Sequence, residues 1–109
     1  MKKLLATLVT AGVLSTGAYA ACSGGTCSNV KIESLMVLTS GTISVGTTGN
    51  ERGLRCSAAG GKYLAIASNA PGKNAMYSAL LTAQTTKKAV SLRLNDTGAA
   101  CKISYVMSK

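Results

Sequence analysis

Histidine, tryptophan and phenylalanine are absent from this chain of 109 residues, and carboxylates are scarce. Without histidine, the chain lacks the side chain most often used for proton transfer near neutral pH and for binding metals. The three carboxylates are Glu33, Glu51 and Asp96, and no two of them stand at the spacing of a catalytic motif. An enzyme would therefore need an unusual site built from these residues with Lys and Ser. We expect a protein that is not an enzyme and that uses no metal or other cofactor.

The scarcity of carboxylates leaves the chain strongly basic. The sequence contains twelve Lys and Arg residues and only three acidic residues. If residues 1–20 are removed, Lys2 and Lys3 are lost and the net charge is +7 (10 − 3). Such an excess favours anionic partners such as acidic glycans, lipopolysaccharide or phospholipid headgroups. The basic residues are scattered along the sequence, however, so the charge is also consistent with a role in solubility alone.

Long hydrophobic runs are also missing, except near the N-terminus. Lys2 and Lys3 precede an apolar run at residues 4–14, and Ala18 and Ala20 form a small-x-small cleavage site. This layout predicts a secretory signal peptide over residues 1–20 and a single mature domain over 21–109, located in the periplasm or secreted. The apolar run is too short to span a bilayer as a helix. The alternative is a lipoprotein anchored at Cys22, although Tyr19 stands where such signals usually carry an aliphatic residue.

All four cysteines lie in the predicted mature part, where they can oxidise. Three pairings are open. We favour Cys22–Cys27, whose Ser-Gly-Gly-Thr spacer can fold back, together with Cys56–Cys101, which closes a long loop. That second bridge could contribute about 4 kcal/mol by loop-entropy estimates. A metal site is the alternative for the first pair, but its remaining ligands are missing.

Alternating apolar residues and turn signals predict a mainly β fold with one helix. The helix is expected at residues 72–86, after an Asn-Ala-Pro-Gly entry signal, with a stripe of apolar residues at three- and four-residue spacing. The order favours a small OB-like five-stranded barrel (β-β-β-α-β-β), and the alternative is an open antiparallel sheet with one packed helix. The stripe consists of Ala75, Met76, Ala79, Leu80 and Ala83. The strands are expected at 29–38, 42–47, 54–57 continuing after a break at 62–68, 89–94 and 101–107, with a turn at 95–98.

Four residues are candidates for contacts outside the domain. Tyr77 and Leu81 lie one helical turn apart beside the apolar stripe, where they are either buried or in contact with a neighbouring subunit. Tyr63 and Tyr105 lie in predicted strands and are candidates for stacking on a sugar, although strand tyrosines usually serve packing. Nucleic acid is not expected, because stacking aromatics and adjacent basic residues are too few.

Several segments resemble a group of short, exported and functionally uncharacterised proteobacterial proteins. The likeness lies in a Tyr-Leu strand, a Met-Tyr-x-x-Leu-Leu-x-Ala helix and a late strand that bears a cysteine. At the level of size, export, disulfide and element order, the chain is also similar to the B subunits of bacterial AB5 toxins. That resemblance implies an OB-like fold, an oligomer and glycan binding, but it assigns no residue. The segments that resemble the uncharacterised exported proteins are 62–67, 75–83, 88–92 and 101–105.

The sequence thus predicts an exported binding or assembly module without catalytic activity. It could be an oligomeric, glycan-binding protein like a toxin B subunit. The alternative is a periplasmic or secreted protein that binds or inhibits a specific partner protein.

Overall fold

The structure is a computed structural model that describes residues 19–95 and 100–108. The predicted signal peptide lies almost wholly outside these residues, and so does most of the predicted turn at 95–98, including Asp96. Within them, the chain forms seven strands, a short 3₁₀ turn and one α-helix. The elements are β1 (Ala21–Ser23), β2 (Thr26–Val30), β3 (Ile32–Val37), β4 (Ile43–Thr47), the 3₁₀ turn (Glu51–Gly53), β5 (Tyr63–Ile66), α1 (Lys73–Thr86), β6 (Val90–Leu94) and β7 (Ile103–Ser108).

The strands form two antiparallel sheets, in the orders β1-β2-β6-β7 and β3-β4-β5. Lys31 alone separates β2 from β3, so one continuous run of chain passes from the first sheet into the second. On the opposite side, the sheets meet at a single parallel bridge between Ala65 and Lys102. In that bridge the Ala65 N–H donates to the Cys101 carbonyl at 2.8 Å.

This arrangement confirms a mainly β fold with one helix, but the expected closed barrel is wrong. After Lys102 the chain continues along β6 and not along β5. The seam between β5 and β7 therefore has one backbone bridge among the described residues, and the sheets stay open. The structure supports the open-sheet alternative, with two sheets in place of one.

The core lies between the two sheets and under one side of the helix. In β6, Val90, Leu92 and Leu94 are buried while Ser91 and Arg93 are half-buried, which is the alternation expected from the sequence. Both sheets and the helix contribute side chains with almost no exposed surface. The largest of these are Leu64, Ile66, Leu80, Leu92, Leu94, Val30, Val45 and Val90.

The hairpin formed by β1 and β2 was not expected, and the predicted strand at 54–57 is not present. Gly24, with a φ of 62°, opens the hairpin turn and places Cys22 opposite Cys27. The Gly24 N–H donates to the Gly53 carbonyl at 3.2 Å, and the Arg55 N–H donates to the Gly24 carbonyl at 2.9 Å. The pairing is a single bridge between Gly24 and Leu54 and does not extend into a strand ladder.

Both disulfides have the pairing that the sequence favours. Cys22–Cys27 joins β1 to β2, and Cys56–Cys101 joins the loop after the 3₁₀ turn to the residues just before β7. All four cysteines are buried. Two disulfides indicate a location outside the cytoplasm. Among the described residues, no helix is long and apolar enough to cross a membrane.

The helix begins one residue later than predicted and ends at Thr86. Lys87 follows in the left-handed conformation (φ 57°), and the Lys88 N–H donates to the Ala83 carbonyl, which closes the helix end. The buried stripe is narrower than expected. Leu80 and Ala83 are buried and Met76 is half-buried, whereas Ala75 and Ala79 are exposed. Those two alanines line a groove.

Candidate binding surfaces

A groove runs between α1 and β7, and we call it the α1–β7 groove. Beside the first half of the helix it forms a cavity of about 520 Å³, whose walls include Ala75, Ala79 and Ile103. Beside the second half lies a cavity of about 270 Å³, lined by Thr82, Thr86 and Val90 among others. Both cavities share Ala79 and Val106, so the groove is continuous along the helix.

Alanine and threonine side chains line much of this flank of the helix. On the opposite flank, two side-chain hydrogen bonds join the helix to β3 and to the loop after it, beside a cavity of about 390 Å³ lined by Glu33 and Gln84 among others. The Gln84 side-chain amide donates to the Glu33 carbonyl at 3.2 Å, and the Lys73 ammonium donates to the Gly41 carbonyl at 3.1 Å. The helix is therefore anchored along β3 while a gap remains towards β7. An extended chain could lie in that gap.

Among the described residues, strand β7 is the outer strand of its sheet and pairs only with β6. Beyond that ladder, no backbone hydrogen bond involves residues 103–108 within the part of the chain that the structure describes. Those six residues, Ile-Ser-Tyr-Val-Met-Ser, include no charge and no proline. Natural edge strands usually carry such features to prevent pairing with another chain. The outer edge of β7 is thus free to accept an added strand.

Tyr105 and Met107 lie on the outer face of the four-stranded sheet, with exposures of 49% and 51%. Tyr105 stands directly opposite Arg93, and Arg93 stands opposite Thr26 on the next strand. The predicted ligand-binding residue Tyr105 is therefore accessible, next to the α1–β7 groove, whose lining it joins.

Tyr63 lies on the other sheet, in a different environment. It pairs with Gly46, where an added methyl group would contact the ring at 3.6 Å. The Lys62 ammonium lies over the same ring, 5.8 Å from its centre, within cation–π range. Lys62 therefore lies over a face of the ring that a stacked sugar would use.

The two tyrosines lie on strands of different sheets, Tyr63 on β5 and Tyr105 on β7. Tyr63 stands two residues before the bridge between Ala65 and Lys102, and Tyr105 stands three residues after it. Among the described residues, no strand pairing brings the two tyrosines side by side.

The predicted subunit-contact residues differ in exposure. Tyr77 is half-buried and packs against the core, whereas Leu81 is 41% exposed. The hydrogen bonds from Lys73 and Gln84 show that α1 runs alongside β3 in the opposite direction. Exposed apolar side chains also stand at the end of β3 and just after it, namely Met36, Val37 and Leu38.

The two described carboxylates lie in different environments. Glu33 is exposed on β3, while Glu51 is buried and accepts hydrogen bonds from the Thr47 N–H and hydroxyl. Within residues 19–95 and 100–108, no three His, Cys, Asp or Glu residues are close enough to hold a metal ion.

Comparison of the chain with known protein families, curated proteins and solved structures gives no match. The functional argument therefore depends on the fold and on these surfaces. The sequence did not reveal the α1–β7 groove. Its one visible sign in the sequence is the pair Ala75 and Ala79, four residues apart, which fits a buried apolar stripe equally well.

Proposed function

We propose that this protein is an exported, non-catalytic binding module that holds an extended segment of a partner protein in the α1–β7 groove. The observation that carries the proposal is the unpaired outer edge of β7, which faces a groove lined by small helical side chains. An added strand would extend the four-stranded sheet by backbone hydrogen bonds, while the groove would select alternate side chains.

The charge distribution favours a partner segment that carries acidic residues. Among the described residues, Glu33 is the exposed carboxylate, and it lies on the β3 flank of the helix. Lys88 lines the groove at one end, and Lys102 is exposed just before β7. A second copy of this basic chain would bring like charges together, whereas acidic residues flanking an apolar segment would be attracted.

The test is to select peptides from a random displayed library on the oxidised protein lacking residues 1–20. Enriched peptides should be extended, with small or apolar residues flanked by acidic ones. Their binding should shift the amide NMR signals of residues 103–108 and of the groove side of α1. Ala79→Arg, which fills the groove, should weaken binding about tenfold or more, a loss of about 1.4 kcal/mol.

Ser28→Arg is the matched control, because it adds the same charge at an exposed position on β2. Peptide affinity should be unchanged in this variant. The proposal fails if Ser28→Arg weakens binding as much as Ala79→Arg does, if the shifts map elsewhere, or if no peptide is enriched.

A second candidate function, assembly into an oligomer, is favoured by the exposed apolar residues beside the other flank of the helix. Val37 is 59% exposed, Leu38 40% and Leu81 41%. Apolar side chains grouped on a small domain often mark a subunit contact. Light scattering of the oxidised protein tests this: an oligomer that becomes monomeric in Val37→Ser/Leu81→Ser supports it, and a monomeric parent protein rejects it. The resemblance to AB5 toxin B subunits stays a prediction and contributes no site residue.

A further inference from the structure

Two exposed arginines in the loop after β4 each lie against a glycine. A methyl group placed on Gly61 would come within 2.9 Å of Arg52 Nε and 3.0 Å of its Nη2. A methyl group placed on Gly24 would come within 3.2 Å of Arg55 Nη2. Both guanidinium groups therefore occupy space that exists because these positions have no side chain.

These glycines adopt conformations that other residues rarely adopt, with φ values of 71° at Gly61 and 62° at Gly24. The turns are thus built from residues that let a guanidinium lie close to the backbone. An arginine that is already held in place loses less conformational freedom when it binds a ligand. Its planar group can also form two parallel hydrogen bonds to one phosphate or sulfate.

A third cation belongs to the same loop. Lys62 directly follows Gly61, the glycine against which Arg52 lies, and its ammonium lies over the Tyr63 ring, 5.8 Å from the centre. The ring holds the ammonium at the surface without neutralising its charge.

The neighbouring carboxylate does not neutralise the cluster. Glu51 precedes Arg52 in sequence, but its side chain is buried and accepts hydrogen bonds from Thr47. Glu33, the other described carboxylate, lies by α1 near Gln84. Neither described carboxylate thus pairs with these three cations, which all belong to the segment between β4 and β5.

We propose that Arg52, Arg55 and Lys62 form a binding site for a polysaccharide that carries sulfate or phosphate groups. The loop around them is polar or small, with Asn50, Ser57 and Gly60 exposed. Its exposed apolar side chain is that of Ala59, a single methyl group that is too small to anchor in a lipid bilayer. The Lys62 ammonium lies over Tyr63, so the loop offers little for stacking a nucleobase. This site is separate from the α1–β7 groove, and neither proposal depends on the other.

The first experiment measures the affinity of the oxidised protein lacking residues 1–20 for heparin, a sulfated polysaccharide, by titration calorimetry at physiological salt. Arg52→Gln/Lys62→Gln should weaken binding about tenfold or more. The matched control, Lys31→Gln/Lys87→Gln, removes the same charge from exposed positions outside both proposed sites and should change affinity less than about twofold.

The second comparison changes the geometry without changing the charge. Gly61→Ala would push the Arg52 guanidinium away. Gly60 is the control position, because it has a similar positive φ of 65° and a methyl group added there meets nothing within 4 Å. Both variants share the same kind of backbone strain. Weaker heparin binding in Gly61→Ala but not in Gly60→Ala is the expected result.

Three results would overturn the proposal. The first is equal loss in the two charge-removing pairs, which would indicate non-specific attraction. The second is equal binding by the two glycine variants, which would show that the position of Arg52 does not matter. The third is an equally tight complex with a single-stranded oligonucleotide, which would exclude a site selective for polysaccharide.

Discussion

A single carboxylate oxygen of Glu51 accepts two hydrogen bonds from Thr47, one from the backbone N–H at 3.2 Å and one from the hydroxyl at 2.5 Å. The Thr47 hydroxyl also accepts a hydrogen bond from the Gly49 N–H at 3.1 Å. Both side chains are buried, with exposures of 4% and 3%. This network closes the loop between β4 and the 3₁₀ turn, and it directs the Glu51 charge away from the surface that Arg52 and Arg55 occupy.

Thr47→Val should therefore destabilise the protein, because it keeps the shape of the side chain but removes one of the two hydrogen bonds to the Glu51 carboxylate and leaves the Gly49 N–H without its acceptor. The expected loss in the free energy of unfolding is about 1–3 kcal/mol. Urea denaturation monitored by circular dichroism measures it. Thr39→Val, at an exposed position, is the control and should stay within about 0.5 kcal/mol of the parent protein. Equal midpoints for the two variants would show that the network does not stabilise the loop.

Leu80 and Leu81 are adjacent in the helix, yet one is fully buried and the other is 41% exposed. Leu80→Ala should cost about 2–5 kcal/mol because it leaves a cavity between the two sheets. Leu81→Ala should cost no more than about 0.5 kcal/mol in the monomer. Thermal unfolding of the two variants at low protein concentration distinguishes them. Similar losses of stability in the two variants would mean that the helix does not bury Leu80 in preference to Leu81.

The two disulfides should contribute unequally to stability. Cys56–Cys101 spans 45 residues and Cys22–Cys27 spans 5. Loop-entropy estimates give about 4 kcal/mol for the long loop and about 2 kcal/mol for the short one. Replacing each pair by alanine and comparing urea midpoints tests the order. A larger loss from the short-loop pair would show that packing of the buried sulfurs in the hairpin outweighs loop entropy.

The sequence predicted the helix and the last two strands because their signals are local. Val90, Leu92 and Leu94 alternate with polar residues over a full strand, and the Pro71-Gly72 entry marks the start of the helix. The hairpin at Cys22 and Cys27 gave no comparable pattern, since β1 has three residues and its turn is held by a disulfide and by backbone bonds from a distant loop.

Whether the sheets close into a barrel, and whether a groove remains beside the helix, depends on long-range geometry that the periodicity of the sequence does not encode. Ala75 and Ala79 fit an apolar stripe equally well whether a strand covers them or a gap remains. Likewise, the single bridge between Ala65 and Lys102 follows from where β7 departs from β5, which no local pattern fixes. The cationic cluster was missed for the same reason, because Arg52 and Gly61 are nine residues apart and meet only after the loop has folded.

The contact between Gly53 and Cys22 gives a last test of the packing of the N-terminal hairpin. A methyl group at Gly53 would overlap the Cys22 carbonyl oxygen, and that atom belongs to the backbone of β1, so it cannot move without displacing the strand. Gly53→Ala should therefore cost about 1–3 kcal/mol. Gly72→Ala is the matched control, because a methyl group there meets nothing within 4 Å and the residue has a φ of −95°. This control should be neutral or slightly stabilising, since alanine has less freedom to lose in folding than glycine. The measurement compares the urea midpoints of the two variants with their disulfides intact. An unchanged midpoint in Gly53→Ala would mean that β1 does not pack against the 3₁₀ turn.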